Sequence, residues 1–175
     1  MLKIKDLKCM HLVRPFGIEE APYFSWVLDS DEENVMQAYY RLRVTNEEKE
    51  LVWDSGKQRT DQSTYVNYEG AELKSRTKYI WTVIVEDNHG NQAEAGSEFE
   101  TAFLHKSDWK AKWVKSPFPT MERKAHLGDQ PPAVLFRKKV MLDKKVKKAR
   151  LYATCHGVYH LTVNGERPDD REFAP

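Results

Sequence analysis

The sequence predicts an all-β chain. Hydrophobic residues recur with period two through the first hundred positions, no segment keeps a helical period beyond about two turns, and turn-forming clusters close the alternating runs at short intervals. The 175 residues, 40% hydrophobic and 11% aromatic, hold enough apolar material for a packed core in one domain or two small ones.

A leading strand precedes Pro15. In Tyr23-Phe24-Ser25-Trp26-Val27-Leu28 the side chains of Phe24, Trp26 and Leu28 share a face, and the acidic run from Asp29 to Asn34 has turn composition. From Gln37 to Val44, the parity sets Ala38, Tyr40, Leu42 and Val44 against Gln37, Tyr39, Arg41 and Arg43. That is the pattern of a half-buried antiparallel strand. Leu51 to Asp54 is a short strand stopped by Ser55-Gly56, and Thr64 to Tyr68 is another that stops at Gly70. Thr77 to Glu86 is the longest, with Tyr79, Trp81, Val83 and Val85 on one face, and Asp87-Asn88-His89-Gly90-Asn91 gives it a hairpin end. Ala95 to Thr101 returns. Seven strands in about 100 residues match an immunoglobulin-like or fibronectin-III sandwich. Leu73, Thr77 and Tyr79 have the spacing of the fibronectin-III tyrosine corner, whose hydroxyl bonds to upstream backbone.

Beyond Thr101 the texture changes. Trp109 and Trp113 mark a compact aromatic segment, expected to pack a junction between domains, and Ser116 to Gln130 reads as a proline-containing loop. Strand patterns resume over Ala133 to Leu142 and over Ala149 to Val163, where Leu151, Ala153, Cys155, Tyr159, Leu161 and Val163 share a parity and Gly157 marks a bend. Asn164-Gly165 is a hairpin turn signal. These strands are too few to close a sandwich, so the chain divides into a complete domain over 1–104 and the incomplete start of a second β domain over 105–175. Unpaired edges in that half invite self-association.

Charge separates the same halves. Residues 1–104 hold 12 Lys and Arg against 19 Asp and Glu, whereas residues 105–175 hold 16 against 8. The basic cluster Lys144-Lys145-Val146-Lys147-Lys148 has no interleaved stacking aromatics and reads as a solvated or domain-facing surface, which argues against a nucleic-acid partner. No apolar run approaches the roughly 18 residues of a membrane span, and Met1-Leu2-Lys3-Ile4-Lys5-Asp6 alternates charge with hydrophobe instead of forming a signal core. A cytoplasmic chain without a membrane partner is expected. Cys9 and Cys155 fall in different domains and are expected to be free thiols.

No catalytic, cofactor or metal site is expected. The acid clusters, Asp29 to Glu33, Glu47-Glu48-Glu50 and Asp169-Asp170, are local and lie in turn-like sequence. His156 and His160 flank Cys155 in a pattern that suggests a metal. On a strand, however, residues four apart lie about 13 Å from each other. A shared tetrahedral ion needs bonds near 2 Å, and only a sharp turn at Gly157 brings the two rings together. Among the tryptophans, Trp26 and Trp81 are core by parity, while Trp53 is ambiguous.

Several segments together resemble the N-terminal part of bacterial α-L-rhamnosidases of glycoside hydrolase family 78. They are Phe24-Ser25-Trp26, Gln37-Ala38-Tyr39-Tyr40-Arg41, Trp53-Asp54-Ser55-Gly56-Lys57, Leu73 with Thr77, Tyr79 and Trp81, Phe99-Glu100-Thr101, Trp109-x-Ala111-x-Trp113, Phe136-Arg137-Lys138 and the Asn164-Gly165 turn. Ala102 and the leading Arg14-Pro15-Phe16-Gly17 depart from the family pattern. The resemblance implies a fibronectin-III-like sandwich, then a jelly-roll-like β domain, with catalysis in an (α/α)₆ barrel further along. It therefore implies a non-catalytic accessory region, inactive alone, whose partner is a downstream catalytic domain. Calcium-dependent rhamnose binding, known in accessory domains of such enzymes, falls outside these residues. A fibronectin-III protein–protein interaction or adhesion module is the alternative.

Overall fold

The computed structural model describes residues 1–117 and 133–168. The chain forms two compact units, Met1–Val114 and Lys115–Pro175. Most of the expected Ser116 to Gln130 loop, and the Asp169-Asp170 pair, lie outside the described residues.

The first unit is a two-sheet β-sandwich. Its strands are β1 (Lys3–Cys9), β2 (Phe16–Ile18), β3 (Tyr23–Asp29), β4 (Gln37–Asn46), β5 (Leu51–Asp54), β6 (Val66–Asn67), β7 (Lys78–Asp87) and β8 (Gln92–Thr101), followed by a 3-10 turn at Lys106–Asp108. One sheet runs β1-β3-β6 and the other β2-β8-β7-β4-β5. Every pair is antiparallel except β2 with β8, which is parallel. The chain crosses between sheets at β1–β2, β2–β3, β3–β4, β5–β6 and β6–β7, and each sheet buries one face on the other.

The alternating pattern explains the core. Phe24 and Trp26 from the smaller sheet meet Tyr40, Leu42, Val44, Tyr79, Trp81, Val83, Val85 and Phe99 from the larger one. Phe24 lies 4.7 Å from Trp81 between ring centroids, and Tyr79 stacks on Phe99 at 5.3 Å. Backbone polarity is closed at the hairpin after β7. The buried Asp87 carboxylate accepts from the His89 and Asn91 N–H groups at 2.9 and 2.8 Å, while Gly90 takes φ +84°. The corner tyrosine is present: the Lys74 N–H donates to the Tyr79 hydroxyl at 2.8 Å.

Three expectations need correction. Gln37 is buried, not outward, because a bulge between Gln37 and Tyr39 shifts its parity. There its Oε1 accepts from Trp26 Nε1 at 2.9 Å, and its Nε2 donates to the carbonyls of Thr60 and Gln62. Second, a strand, β2, begins at Phe16 inside the Arg14–Gly17 turn, and its three residues are too few to show a period.

The third correction concerns the second unit. Residues 133–142 and 149–163 form no strand, and these segments show isolated bridge positions only, at Tyr159 and between Val163 and Glu166. Alternation makes a strand only where a neighbouring backbone takes up its N–H and C=O groups over a run of residues, not at single positions. The Asn164-Gly165 turn itself is formed, with Asn164 at φ 54° and Gly165 at φ 87°, closed by Val163 and Glu166 bonds of 2.7 and 3.1 Å.

Candidate functional site

A glycosidase-type site needs one carboxyl whose acidity is weakened so that it carries a proton, set across a cleft from a second. Five described carboxyls run the other way. Those clearly displaced, Asp31, Asp54, Glu86, Asp87 and Asp108, are all held below the usual carboxylate range. The causes are local. For Asp31 it is the N-terminal ammonium, for Glu86 the Lys57 ammonium, and for Asp108 the Ser75 hydroxyl. Burial pushes Asp87 up, but hydrogen bonds from Asn91 and His89 overcome it.

The clusters noted in the sequence stay apart. In the first, Asp29 pairs with Lys5 at 3.0 Å, Asp31 with the N-terminus at 3.1 Å, and Glu32 faces His89 at 3.3 Å. In the second, Glu50 closes a turn by accepting from Asn46 Nδ2 at 2.8 Å. His156 and His160 are exposed and Cys155 half-buried, and among the described residues no group of three His, Cys, Asp or Glu side chains converges as metal ligands would. Lys144 to Lys148 are exposed. Cys9 and Cys155 are free, and burial pushes the Cys9 thiol up to about 12, which leaves it unreactive.

Trp26 and Trp81 are sealed in the core, as parity predicted. Trp53 is half-buried edge-on to Tyr68 at 5.1 Å, and Trp109 packs on Phe103 at 4.7 Å. Trp53 offers no open platform, whereas Trp109 and Trp113 are exposed, at 40% and 66%.

One polar constellation carries no site signal in the sequence. It is Trp53-Asp54-Ser55-Gly56-Lys57, where β5 leaves the sheet. Asp54 accepts from Arg41 Nε at 2.8 Å, Arg41 Nη2 at 2.6 Å, Arg43 Nε at 3.1 Å and the Gly56 N–H at 2.9 Å. The Arg41 guanidinium above all keeps Asp54 ionised far below the ordinary range. Ser55 Oγ accepts from the Leu42 N–H at 2.9 Å in place of a backbone carbonyl. Gly56 then turns at φ +65°, which returns Gln58 to exchange backbone bonds with Tyr40 at 3.0 and 2.8 Å. Lys57 lies 4.2 Å over the Tyr39 ring and pairs with Glu86 at 2.7 Å. Beside the motif is a hollow of about 350 Å³ onto which Asp54, Gln58, Asn67 and Glu69 face. An aspartate held ionised between two arginines is neither a general acid nor a free base. Its chemistry is structural, since it locks a strand exit.

With that geometry in view, the comparisons decide the family. Residues 4–105 match the model described as Rha78A-like, N-terminal immunoglobulin domain. The chain belongs to that family. Its immunoglobulin assignment agrees with the observed two-sheet sandwich. Over 173 residues the Rha78A-like chain is 36% identical to a protein named alpha-L-rhamnosidase from Formosa agariphila, a match over 92% of this chain and 18% of that protein. A second, from Streptomyces avermitilis, is 33% identical over 94% of this chain and 18% of its own length. The chain thus spans less than a fifth of these curated relatives. Among solved structures, the Streptomyces avermitilis alpha-L-rhamnosidase complexed with L-rhamnose superposes with TM-score 0.63 at 35% identity, over 70% of this chain and 13% of that one. The enzyme from Dictyoglumus thermophilum gives 0.60 at 32%, over 64% and 14%.

Proposed function

We propose that this chain is the non-catalytic N-terminal accessory region of a longer α-L-rhamnosidase, whose parent hydrolyses terminal α-L-rhamnosides in a domain these residues do not supply. The match carries the reading: 92% of the chain aligns with a protein named alpha-L-rhamnosidase, yet accounts for only 18% of it. The downward displacement of the shifted carboxyls supports it, because a general acid needs the opposite. The sandwich braces or positions the catalytic domain, its partner within one polypeptide. Within the immunoglobulin class, the three- and five-stranded sheets and the Tyr79 corner favour the fibronectin-III type. The free Cys9 and Cys155 favour a cytoplasmic parent.

The test is an assay on an aryl α-L-rhamnoside. The purified 175-residue chain is expected to release no product, and the full-length parent to release it. Turnover that follows the short chain through a sizing column would overturn the reading.

A further inference from the structure

The hollow beside the Asp54 lock has polar walls, to which Asp54, Ser55, Gln58, Gln62, Asn67 and Glu69 contribute, and Tyr40 lines it too. Its volume of about 350 Å³ falls at the small end of ligand sites. The walls are fixed. Gln37 Nε2 donates to the carbonyls of Thr60 and Gln62 at 3.1 and 2.8 Å, and Gln62 Nε2 donates to those of Thr64 and Tyr65 at 3.1 and 3.2 Å. Tyr65 is thereby held in left-handed backbone at φ 51°, a conformation that persists only where the surroundings over-determine it. A hollow built in this way needs little ordering before it can bind.

Many of its polar atoms are already engaged. The Asp54 carboxylate takes Arg41, Arg43 and the Gly56 N–H, and Ser55 Oγ accepts from the Leu42 N–H and donates to the Gly56 carbonyl. Gln58 Nε2 donates to the Ser55 carbonyl. Three groups remain. Tyr40 is only 9% exposed, with its ring edge-on to Trp26, yet among the described residues nothing hydrogen-bonds to its hydroxyl, to the Asn67 side-chain amide or to the Glu69 carboxylate. A buried phenol ordinarily finds a partner within the protein. Tyr68 donates to the Ala71 carbonyl at 2.6 Å, and Tyr79 accepts from the Lys74 N–H at 2.8 Å. Tyr40 has the hollow instead. Burial, and after it the Glu69 carboxylate, pushes its phenol up, which keeps the O–H a donor.

The free groups define the occupant. They are a phenol O–H donor, an amide that both donates and accepts, and a carboxylate that only accepts. An apolar ligand would leave all of them unpaired, and an anion would meet Glu69. A cation would satisfy the oxygens but give the Tyr40 O–H and the Asn67 N–H groups nothing to donate to. A neutral molecule with adjacent hydroxyls accepts from the first two and donates to the third. We propose that the hollow binds a neutral sugar of monosaccharide size, with Tyr40 and Asn67 donating to its hydroxyls and Glu69 accepting from them. The inference goes beyond the bracing role and does not depend on it, because every group it uses belongs to the sandwich.

The test is saturation-transfer NMR on the dilute 175-residue chain, with L-rhamnose and D-glucose as probes in excess. Transfer to at least one sugar is expected, with a dissociation constant on the order of millimolar, as suits a few hydrogen bonds in an open hollow. Tyr40→Phe keeps the ring against Trp26 and removes no bond within the protein. It is expected to weaken binding about five- to tenfold without lowering the melting temperature. Asn67→Ala, at an exposed position, is expected to do the same, and it decides alone if Tyr40→Phe melts lower. Tyr39→Phe, which does not line the hollow, is expected to leave binding unchanged. No transfer to either sugar, or binding that survives Asn67→Ala or a normally melting Tyr40→Phe, overturns the proposal. Methylguanidinium, titrated in parallel, overturns it in favour of a cationic ligand if it binds where neither sugar does.

Discussion

Two tryptophans with the same burial have different stakes. Trp26 Nε1 donates to Gln37 Oε1 at 2.9 Å, whereas Trp81 Nε1 is the buried side-chain donor among the described residues without a hydrogen-bond partner. Trp→Phe removes similar volume at both sites, but at position 26 it also strands a buried amide oxygen, while at position 81 it removes an unsatisfied group. Urea unfolding is expected to show Trp26→Phe as the more damaging by about 1–3 kcal/mol, the cost of an unmade buried bond. The reverse order would mean that the Trp81 donor is satisfied in solution. Tyr79→Phe is expected to cost about 1 kcal/mol through loss of the Lys74 bond, and Tyr39→Phe almost nothing, because Lys57 keeps a ring to cover. Asp54 sets a pH dependence. Its folded carboxyl is held below the unfolded value of about 3.9, so the unfolded chain binds the proton more readily. The stability it contributes is therefore full above that unfolded value and is lost as pH falls through the folded one. Asp54→Asn should flatten the acid limb of a stability–pH curve while lowering its neutral plateau. An unchanged limb would show that the Arg41 pair contributes little.

At the scale of elements, the longer strands of the sandwich were legible because they have room to show their parity. Tyr40 to Val44 and Tyr79 to Val85 bury the residues that alternation selects. The failures have physical causes too. The Gln37 bulge is invisible in a pattern that assumes unbroken register, and β2 offers three residues, one of them glycine. The polar lock at Asp54 was visible as a family motif and a turn, but the convergence of Arg41 and Arg43 on it depends on β4 and β5 pairing in a register that places Arg43 opposite Asp54. Glycines divide by mechanism in a way the sequence conceals. Gly56 needs its left-handed φ and has open space around it. At Gly70 an added Cβ falls 2.5 Å from the Tyr68 ring and 2.6 Å from Trp53 Cβ. Gly56→Ala is expected to cost about 1 kcal/mol of conformational strain. Gly70→Ala must displace a packed aromatic pair and is expected to cost more, with a change in tryptophan fluorescence that Gly56→Ala lacks. Equal effects with no spectral change would refute the close approach.

Across the whole molecule the two units differ in what their sequence patterns achieve. In the first, alternation meets alternation on a facing sheet, and the inward strand faces close a shared core. In the second, the turn at Asn164-Gly165 forms because its chemistry is local. The apolar positions over 133–163 remain largely open because what covers a strand face is non-local. Leu135, Phe136, Val140, Met141, Leu142, Leu151 and Val158 are all exposed. Covering one such side chain is worth about 1.5–3 kcal/mol, so several together make a strong drive toward any apolar surface on offer. For the 175-residue chain alone, another copy is expected to supply that surface. Light scattering is accordingly expected to report a mass that rises with concentration. Hydrogen exchange is expected to be much faster over 133–163 than over 36–86 at dilution, and to slow in the first segment alone as the chain is concentrated. Because the sandwich holds its own core, amide protection over 36–86 should not depend on concentration. A chain that stays monomeric at high concentration, with equal protection in both segments, would require the second unit to cover its apolar faces with its own strands in solution.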